Sequence, residues 1–216
     1  EHRAWVARRC PSPADDDEPR VRVERDTGVT DVVLTRGTRH NAFDTRMRDE
    51  LHDVFSGLAA SEEGDAIVWR ADGPSFCSGG DLDQFGSAPD PATAHVVRLT
   101  RSVAVLVDAL RDRVVVALHG ACMGAGIELP AFAARVVAAD DVRIALPELG
   151  LGLVPGAGGT VSLPRRTGRH RVLDLLLTGE TVGAEQALAW GLVDEVVPRD
   201  MLVDRAYALA EGMEQA

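Results

Sequence analysis

The segment Val114 to Leu118 is apolar throughout, rich in β-branched residues, and bounded by Arg113 on one side and His119-Gly120 on the other. A run this short cannot cross a bilayer, and its lack of polar alternation means that both faces of the strand are covered. Elements must therefore pack above and below a sheet. The sequence supplies them. Asp44 to Ala59 carries Met47, Leu51, Val54, Phe55 and Leu58 at helical spacing, with Asp44 placed to cap the helix, and Pro91 to Leu110 continues the period through Val96, Val97, Leu99, Val103, Leu106 and Leu110. Ala66 to Trp69 and Val136 to Ala138 read as further short buried strands. Val21, Val23, Val29 and Val32 to Leu34, placed around Asp26-Thr27-Gly28, read as a β-hairpin. Alternating strand and helix predict an α/β fold with a largely parallel sheet.

Beyond the central run, Gly120 to Gly126 reads as a glycine-rich turn leading into an apolar helix, and Gly150 to Gly159 as a second such stretch. Helices are expected over Val172 to Leu177, ending at Gly179, over Ala184 to Trp190, and over Met201 to Met213. A chain of 216 residues supports one substantial core. Residues 1–20, broken by Pro11, Pro13, the acidic run Asp15 to Glu18 and Pro19, read as a peripheral arm.

Charge narrows the chemistry. A net charge of -11 argues against a nucleic-acid partner, which would call for a surplus of cations on one face. All 23 basic residues are Arg. Without lysine there is no Schiff-base amine, no pyridoxal phosphate anchor and no P-loop lysine. Cys10, Cys77 and Cys122 lack the paired spacing of zinc or redox sites and read as reduced thiols, so no metal is expected. No apolar run approaches the roughly 18 residues of a membrane span, and no signal peptide opens the chain, so the expected compartment is the cytoplasm.

Three segments combine flexible backbone with a carboxylate: Phe76-Cys77-Ser78-Gly79-Gly80-Asp81-Leu82, then Gly120 to Leu129, then Leu146-Pro147-Glu148. Glycines in turns most often serve turn geometry alone. Gly124-Ala125-Gly126 nevertheless follows a strand and opens a helix, where unpaired N–H groups suit an oxyanion. Glu128, inside an apolar run, reads either as a surface acid of a first helical turn or as a functional group. Glu148 reads as a solvated loop acid or as its partner in moving protons about a carbonyl. No dinucleotide fingerprint, P-loop or nucleophile elbow is present. Ser78 as a nucleophile would need a matched histidine, for which His40 and His119 are candidates by residue type only.

Taken in order, these segments resemble the crotonase, or enoyl-CoA hydratase/isomerase, superfamily. The resemblance runs from about Val21 to Pro198. It rests on Arg39-His40-Asn41-Ala42-Phe43, on Phe76 to Leu82, on His119 to Leu129, on Leu146 to Gly150 running into Val154 to Thr160, and on Ala187 to Asp194. It implies a ββα spiral core over residues 21–198, with residues 199–216 beginning a C-terminal helical region that is shortened or missing. It further implies a homotrimer or dimer of trimers, an acyl-CoA substrate, and no cofactor beyond the coenzyme A of that substrate.

Carried over by position, the Gly80 and Ala125 N–H groups form an oxyanion hole for the thioester. Glu128 would activate water for attack at C3 and Glu148 would protonate C2, which makes enoyl-CoA hydration the expected reaction. Isomerisation, thioester hydrolysis and a non-catalytic acyl-CoA-binding subunit are the alternatives. Ala42, Ser78, Asp81 and Leu82 are implied to grip the coenzyme A, with Arg39 or Arg36 meeting a phosphate. Pro130, just after Glu128, removes a backbone donor, and a bend that displaces Glu128 is expected there.

Overall fold

In the computed structural model, residues 18–26, 28–61, 64–85 and 87–213 are described. All but the last three residues of the expected arm, and Cys10 with them, lie outside this set. The chain opens with the expected hairpin, β1 (Val21–Asp26) pairing antiparallel with β2 (Val29–Leu34). Helix α1 (Thr45–Ala60) follows, its N-terminus capped where Met47 N donates to Asp44 Oδ1 at 2.7 Å. Strand β3 (Ala66–Ala71) then lies parallel to β2.

The helical period between Pro91 and Leu110 is split in two, α2 (Pro91–Thr100) and α3 (Val103–Ala109). The expected single helix breaks at Arg101 and Ser102, both of which leave helical dihedrals. Arg101 is drawn instead to Asp53 on α1, at 2.5 Å. Strand β4 (Val114–Leu118) is the uninterrupted apolar run, and it lies parallel to β3.

From here the chain passes back and forth between two sheets. After β4 come β5 (Ala121–Met123), the short α4 (Ala125–Glu128), β6 (Arg135–Ala139) and β7 (Arg143–Ala145). Helices α5 (Gly159–Thr167) and α6 (Arg169–Thr178) lead to β8 (Val182–Gly183), α7 (Ala184–Trp190), β9 (Glu195–Val197) and α8 (Leu202–Met213). The larger sheet has the order β1-β2-β3-β4-β6-β9 and the smaller the order β5-β7-β8. From β4 to β7 each strand thus falls in the other sheet from the one before, β8 stays in the small sheet beside β7, and β9 returns to the large one, which is a spiral. The small sheet was unreadable from sequence because its strands are two or three residues long, too short to show a period.

Period two decides which residues meet which layer. Ile67, Trp69, Val114, Val116, Val136 and Ala138 face the main core with α1 and α3, while Val68, Val115, Ala117, Val137 and Ala139 face Leu202, Ala206 and Ala210 of α8. Trp69 is wedged edge-on between Phe55 and Phe76, with ring centroids 5.3 and 5.5 Å apart. That contact fixes the loop entering residues 77–81 directly onto the sheet. Among the described residues, no helix is long and apolar enough to cross a membrane.

Candidate active site

Two turns bring backbone donors to the end of the small sheet. The first runs from Cys77 to Asp81. Phe43 N donates to Gly79 O at 2.8 Å and Asp81 N donates to Phe43 O at 2.9 Å. The groups flanking Gly80 therefore face Phe43, and the Gly80 N–H points the other way. In the second turn Gly124 takes φ 48 and ψ -117, a conformation that side-chain-bearing residues avoid, and this lets β5 swing into α4. The Ala125 N–H is the first amide of that helix and has no acceptor within it. Among the described residues neither the Gly80 nor the Ala125 N–H is satisfied by a protein acceptor.

The turns are locked together. Cys77 N donates to Ala121 O at 3.1 Å and Met123 N donates to Cys77 O at 3.0 Å. Gly126 packs so closely that a Cβ there would overlap the Cys77 carbonyl oxygen. Gly80 and Ala125 then line one cavity of about 350 Å³, walled by Phe43, Phe85, Leu153 and Val154, with Glu128 and Glu148 in its lining. A cavity of this volume holds a small ligand or the reacting end of a larger one.

Glu128 is not a surface acid of a first helical turn: it is only 2% exposed. Its Oε2 accepts from Ala157 N and Gly159 N, both at 2.8 Å. Burial pushes its carboxyl up to about 7; the Gly159 and Ala157 amides oppose the rise and the nearby charge of Glu148 adds to it. The bend expected at Pro130 is present, since α4 ends at Glu128 and a 3₁₀ turn (Pro130–Phe132) follows. It does not take Glu128 out of the cavity. With the helix tightened, Phe132 N donates to Leu129 O and leaves the Glu128 carbonyl to another donor, the Ser162 hydroxyl at 2.7 Å.

Ser162→Ala is accordingly expected to strand a buried carbonyl and lower stability by about 1–3 kcal/mol. Urea denaturation measures this, and an unchanged midpoint would contradict it. A second consequence follows from the raised carboxyl. The ordinary value is 4.5 and the folded value about 7, so between these the folded state holds the proton more tightly than the unfolded one. The group therefore favours folding at low pH, and that contribution is lost as pH rises through about 7. Glu128→Gln cannot ionise, so its Tm is expected to exceed that of the parent at pH 8 and to match it near pH 5. An equal offset at both pH values in thermal scans would refute this.

Glu148 opens a short 3₁₀ turn (Glu148–Leu151) after Pro147. It is half-buried, and desolvation raises its carboxyl above the ordinary range. Its Oε2 is buried without a hydrogen-bond partner. Both acids close on Gly124: a Cβ there would sit 2.5 Å from Glu148 Oε1 and 3.9 Å from Glu128 Oε1. The two acids thus border one turn, and the charge of Glu148 makes the Glu128 carboxyl hold its proton more tightly.

The remaining candidate residues are spread along one rim. Asp81 lines the cavity, but its carboxylate is committed to Arg36 at 2.6 Å. Arg36 also reaches Asp44 at 3.3 Å and donates to Ala42 O at 3.0 Å, and its side chain is only 9% exposed. It is thus a buried strut beneath the turn and is poorly placed to meet a phosphate. Arg39, more exposed, pairs with Asp83 at 2.6 Å. Ala42, Ser78 and Leu82 lie beside the cavity without lining it. Ser78 has no histidine: His40 Nδ1 lies 2.9 Å from Ser75 Oγ, and the His119 ring faces Gly73 O at 3.2 Å, with burial holding it down at about 4. Burial likewise pushes the Cys77 thiol up to about 12, which leaves it unreactive. Among the described residues, no group of three or more His, Cys, Asp or Glu is arranged to hold a metal ion.

The chain matches the family described as "Enoyl-CoA hydratase/isomerase" over residues 24–216. The chain belongs to the enoyl-CoA hydratase/isomerase family. Solved structures agree. An enoyl-CoA hydratase from Mycobacterium smegmatis is 32% identical with a TM-score of 0.83, covering 91% of this chain and 77% of its own. An enoyl-CoA hydratase from Bacillus anthracis is 29% identical, also with a TM-score of 0.83, covering 91% and 77%. A protein from Thermobifida fusca YX, named as a candidate enoyl-CoA hydratase and solved in complex with CoA, is 28% identical with a TM-score of 0.81, covering 92% and 79%. The two-sheet spiral is therefore the crotonase fold of the enoyl-CoA hydratase/isomerase family.

Several cavity residues were not among the site residues expected from the sequence. Phe43 and Phe85 form its walls, the Ala157 and Gly159 amides hold Glu128, and Arg98 stands at its edge. The Gly158-Gly159 doublet was a visible signal: a Cβ on Gly159 would lie 2.5 Å from Glu128 Cγ, so the glycine makes room for the acid. Nothing in the spacing of Arg98 on α2 distinguished it from a solvated helix residue.

Proposed function

We propose that this chain is a hydro-lyase that adds water across the C2=C3 bond of a 2-enoyl-CoA thioester. The observation carrying this reading is the meeting, in one cavity, of two amides without protein acceptors and two carboxyls with raised affinity for protons. The thioester oxygen would sit between the Gly80 and Ala125 N–H groups, which stabilise the negative charge that grows there as C3 is attacked. Glu128 is suited to the ionised role, because two amides already donate to its Oε2. It orients a water molecule and takes its proton. Glu148 is suited to the protonated role, because its buried Oε2 lacks any donor and an O–H is tolerated there. It gives its proton to C2. Water's proton replaces the one delivered, so the pair ends with the proton count it began with.

Coenzyme A as the handle of the substrate is supported by the family and by the CoA complex of the Thermobifida fusca relative. The nucleotide portion would lie along the Ala42, Ser78, Leu82 and Arg39 rim. Assembly as a homotrimer or dimer of trimers belongs to the same proposal. It would cover exposed apolar side chains such as Leu177 on α6, and sedimentation velocity reads the mass directly.

Loss of the conjugated thioester absorbance on mixing with crotonyl-CoA tests the reaction, and mass spectrometry of the product separates water gained from unchanged mass (isomerisation) and from released CoA (hydrolysis). Absence of turnover over several acyl lengths would overturn hydration. Because catalysis needs the singly protonated pair, kcat is expected to follow a bell in pH, whereas a flat profile between pH 5 and 9 would rule out proton transfer by the pair as the slow step.

A further inference from the structure

Arg98 sits in the last turn of α2 and lines the same cavity as Glu128 and Glu148. An arginine at a helix C-terminus is ordinary, since it complements the helix dipole. Its surroundings are not. The guanidinium lies over the 154–158 loop, with Cζ and Nη2 each 3.9 Å from where a Cβ on Gly156 would stand. The other arginine of the cavity, Arg48, is bound to Asp49 through Nε at 2.9 Å and Nη2 at 3.0 Å. Asp44 and Asp81 are taken up by Arg20 and Arg36. Arg98 has no carboxylate partner among the described residues, whereas Arg48 and Arg36 at the same cavity region each have one. A chain with net charge -11 has no general attraction for anions, so an exposed arginine at the border of this cavity, without a carboxylate partner among the described residues, is a local feature.

Its position indicates what it would meet. Ala157 N holds Glu128 Oε2, and Arg98 lies against the adjacent Gly156. The proposed coenzyme A rim at Arg39 belongs to a different segment, where Arg39 binds Asp83. Leu153 and Val154 give the same cavity apolar lining. A substrate tail that suits this cavity is a short hydrocarbon ending in an anion. Building on the acyl-CoA reading above, we propose that Arg98 selects thioesters whose acyl chain carries a distal carboxylate, that is, short dicarboxylic 2-enoyl-CoA substrates. A guanidinium–carboxylate pair is bidentate and charge-assisted, and a neutral methyl end cannot replace it.

Binding of non-reacting thioesters tests the selectivity apart from catalysis. Kd values of glutaryl-CoA and adipoyl-CoA, set against pentanoyl-CoA and hexanoyl-CoA, are measured calorimetrically with the parent chain, Arg98→Met and Arg98→Lys. The dicarboxylic thioesters are expected to bind roughly tenfold tighter or more, the scale of a charge-assisted hydrogen bond. Arg98→Met removes that preference without altering the neutral thioesters, and Arg98→Lys retains part of it. Equal affinity for the two kinds in the parent overturns the proposal. So does an equal loss for both kinds in Arg98→Met, which would assign the guanidinium to the coenzyme A phosphates. Selectivity without turnover of any enoyl-CoA leaves Arg98's role standing and removes the hydratase reading; turnover without selectivity does the reverse; no binding of any thioester removes both.

Discussion

Glu148→Gln is expected to lower kcat for 2-enoyl-CoA hydration by about 10²- to 10⁴-fold, the range for loss of a positioned general acid. The substitution keeps the size of the side chain and removes only the transferable proton. Its carboxyl already has a buried oxygen without a partner, so the amide introduces no new clash and folding should be unaffected. Glu128→Gln is expected to fall by a similar factor. The double variant should be little worse than either single one, because groups that act as a unit in one step are not additive when removed. Stopped-flow or steady-state loss of the enoyl thioester absorbance measures all three. Two independent losses that multiply would argue against concerted use of the pair. A Glu148→Gln protein that keeps full activity would leave Glu128 as the sole base, which is sufficient for isomerisation and not for hydration.

What the sequence made legible divides by length scale. Strands of five or six residues and the sixteen-residue α1 announce themselves by period, because burying one or both faces of a regular element constrains many side chains at once. The break at Arg101 was hidden because it depends on a distant aspartate on α1, a tertiary contact that no local pattern encodes. The small sheet was hidden because β5, β7 and β8 are held by neighbours and not by their own composition. The site was legible in part. Gly80, Ala125, Glu128 and Glu148 stand in segments whose glycines betray close backbone approach, and all four line one cavity. The groups that set the acids' chemistry were not legible. The Gly159 amide and the Ser162 hydroxyl lie more than thirty residues along the chain from Glu128, and only folding tells that one addresses its carboxylate and the other its main-chain carbonyl. Arg36 shows the converse: its charge suggested a ligand contact, and packing turned it into a strut between Asp81 and Asp44.

Gly126→Ala is expected to reduce kcat/KM by about 10²- to 10³-fold, comparable to removing one oxyanion donor, though no donor is deleted. The added methyl would fall on the Cys77 carbonyl oxygen. Neither side has room to yield, since that carbonyl also accepts from Met123 N at 3.0 Å while Cys77 N is tied to Ala121 O at 3.1 Å. The turn bearing Gly80 and the turn bearing Ala125 must move apart, and a displacement of about 1 Å at a reacting centre is enough for a loss near 10²-fold. Overpacking should also cost about 1–3 kcal/mol of stability. Gly57→Ala on α1 provides the contrast. A Cβ there meets nothing within 4 Å, so it should stabilise the helix by about 0.5–1 kcal/mol and leave turnover unchanged. Measuring both variants by thermal denaturation and by crotonyl-CoA turnover separates the two effects. If Gly126→Ala retains parental activity, the spacing of the two turns does not govern the reaction, and the thioester carbonyl must be held by other groups.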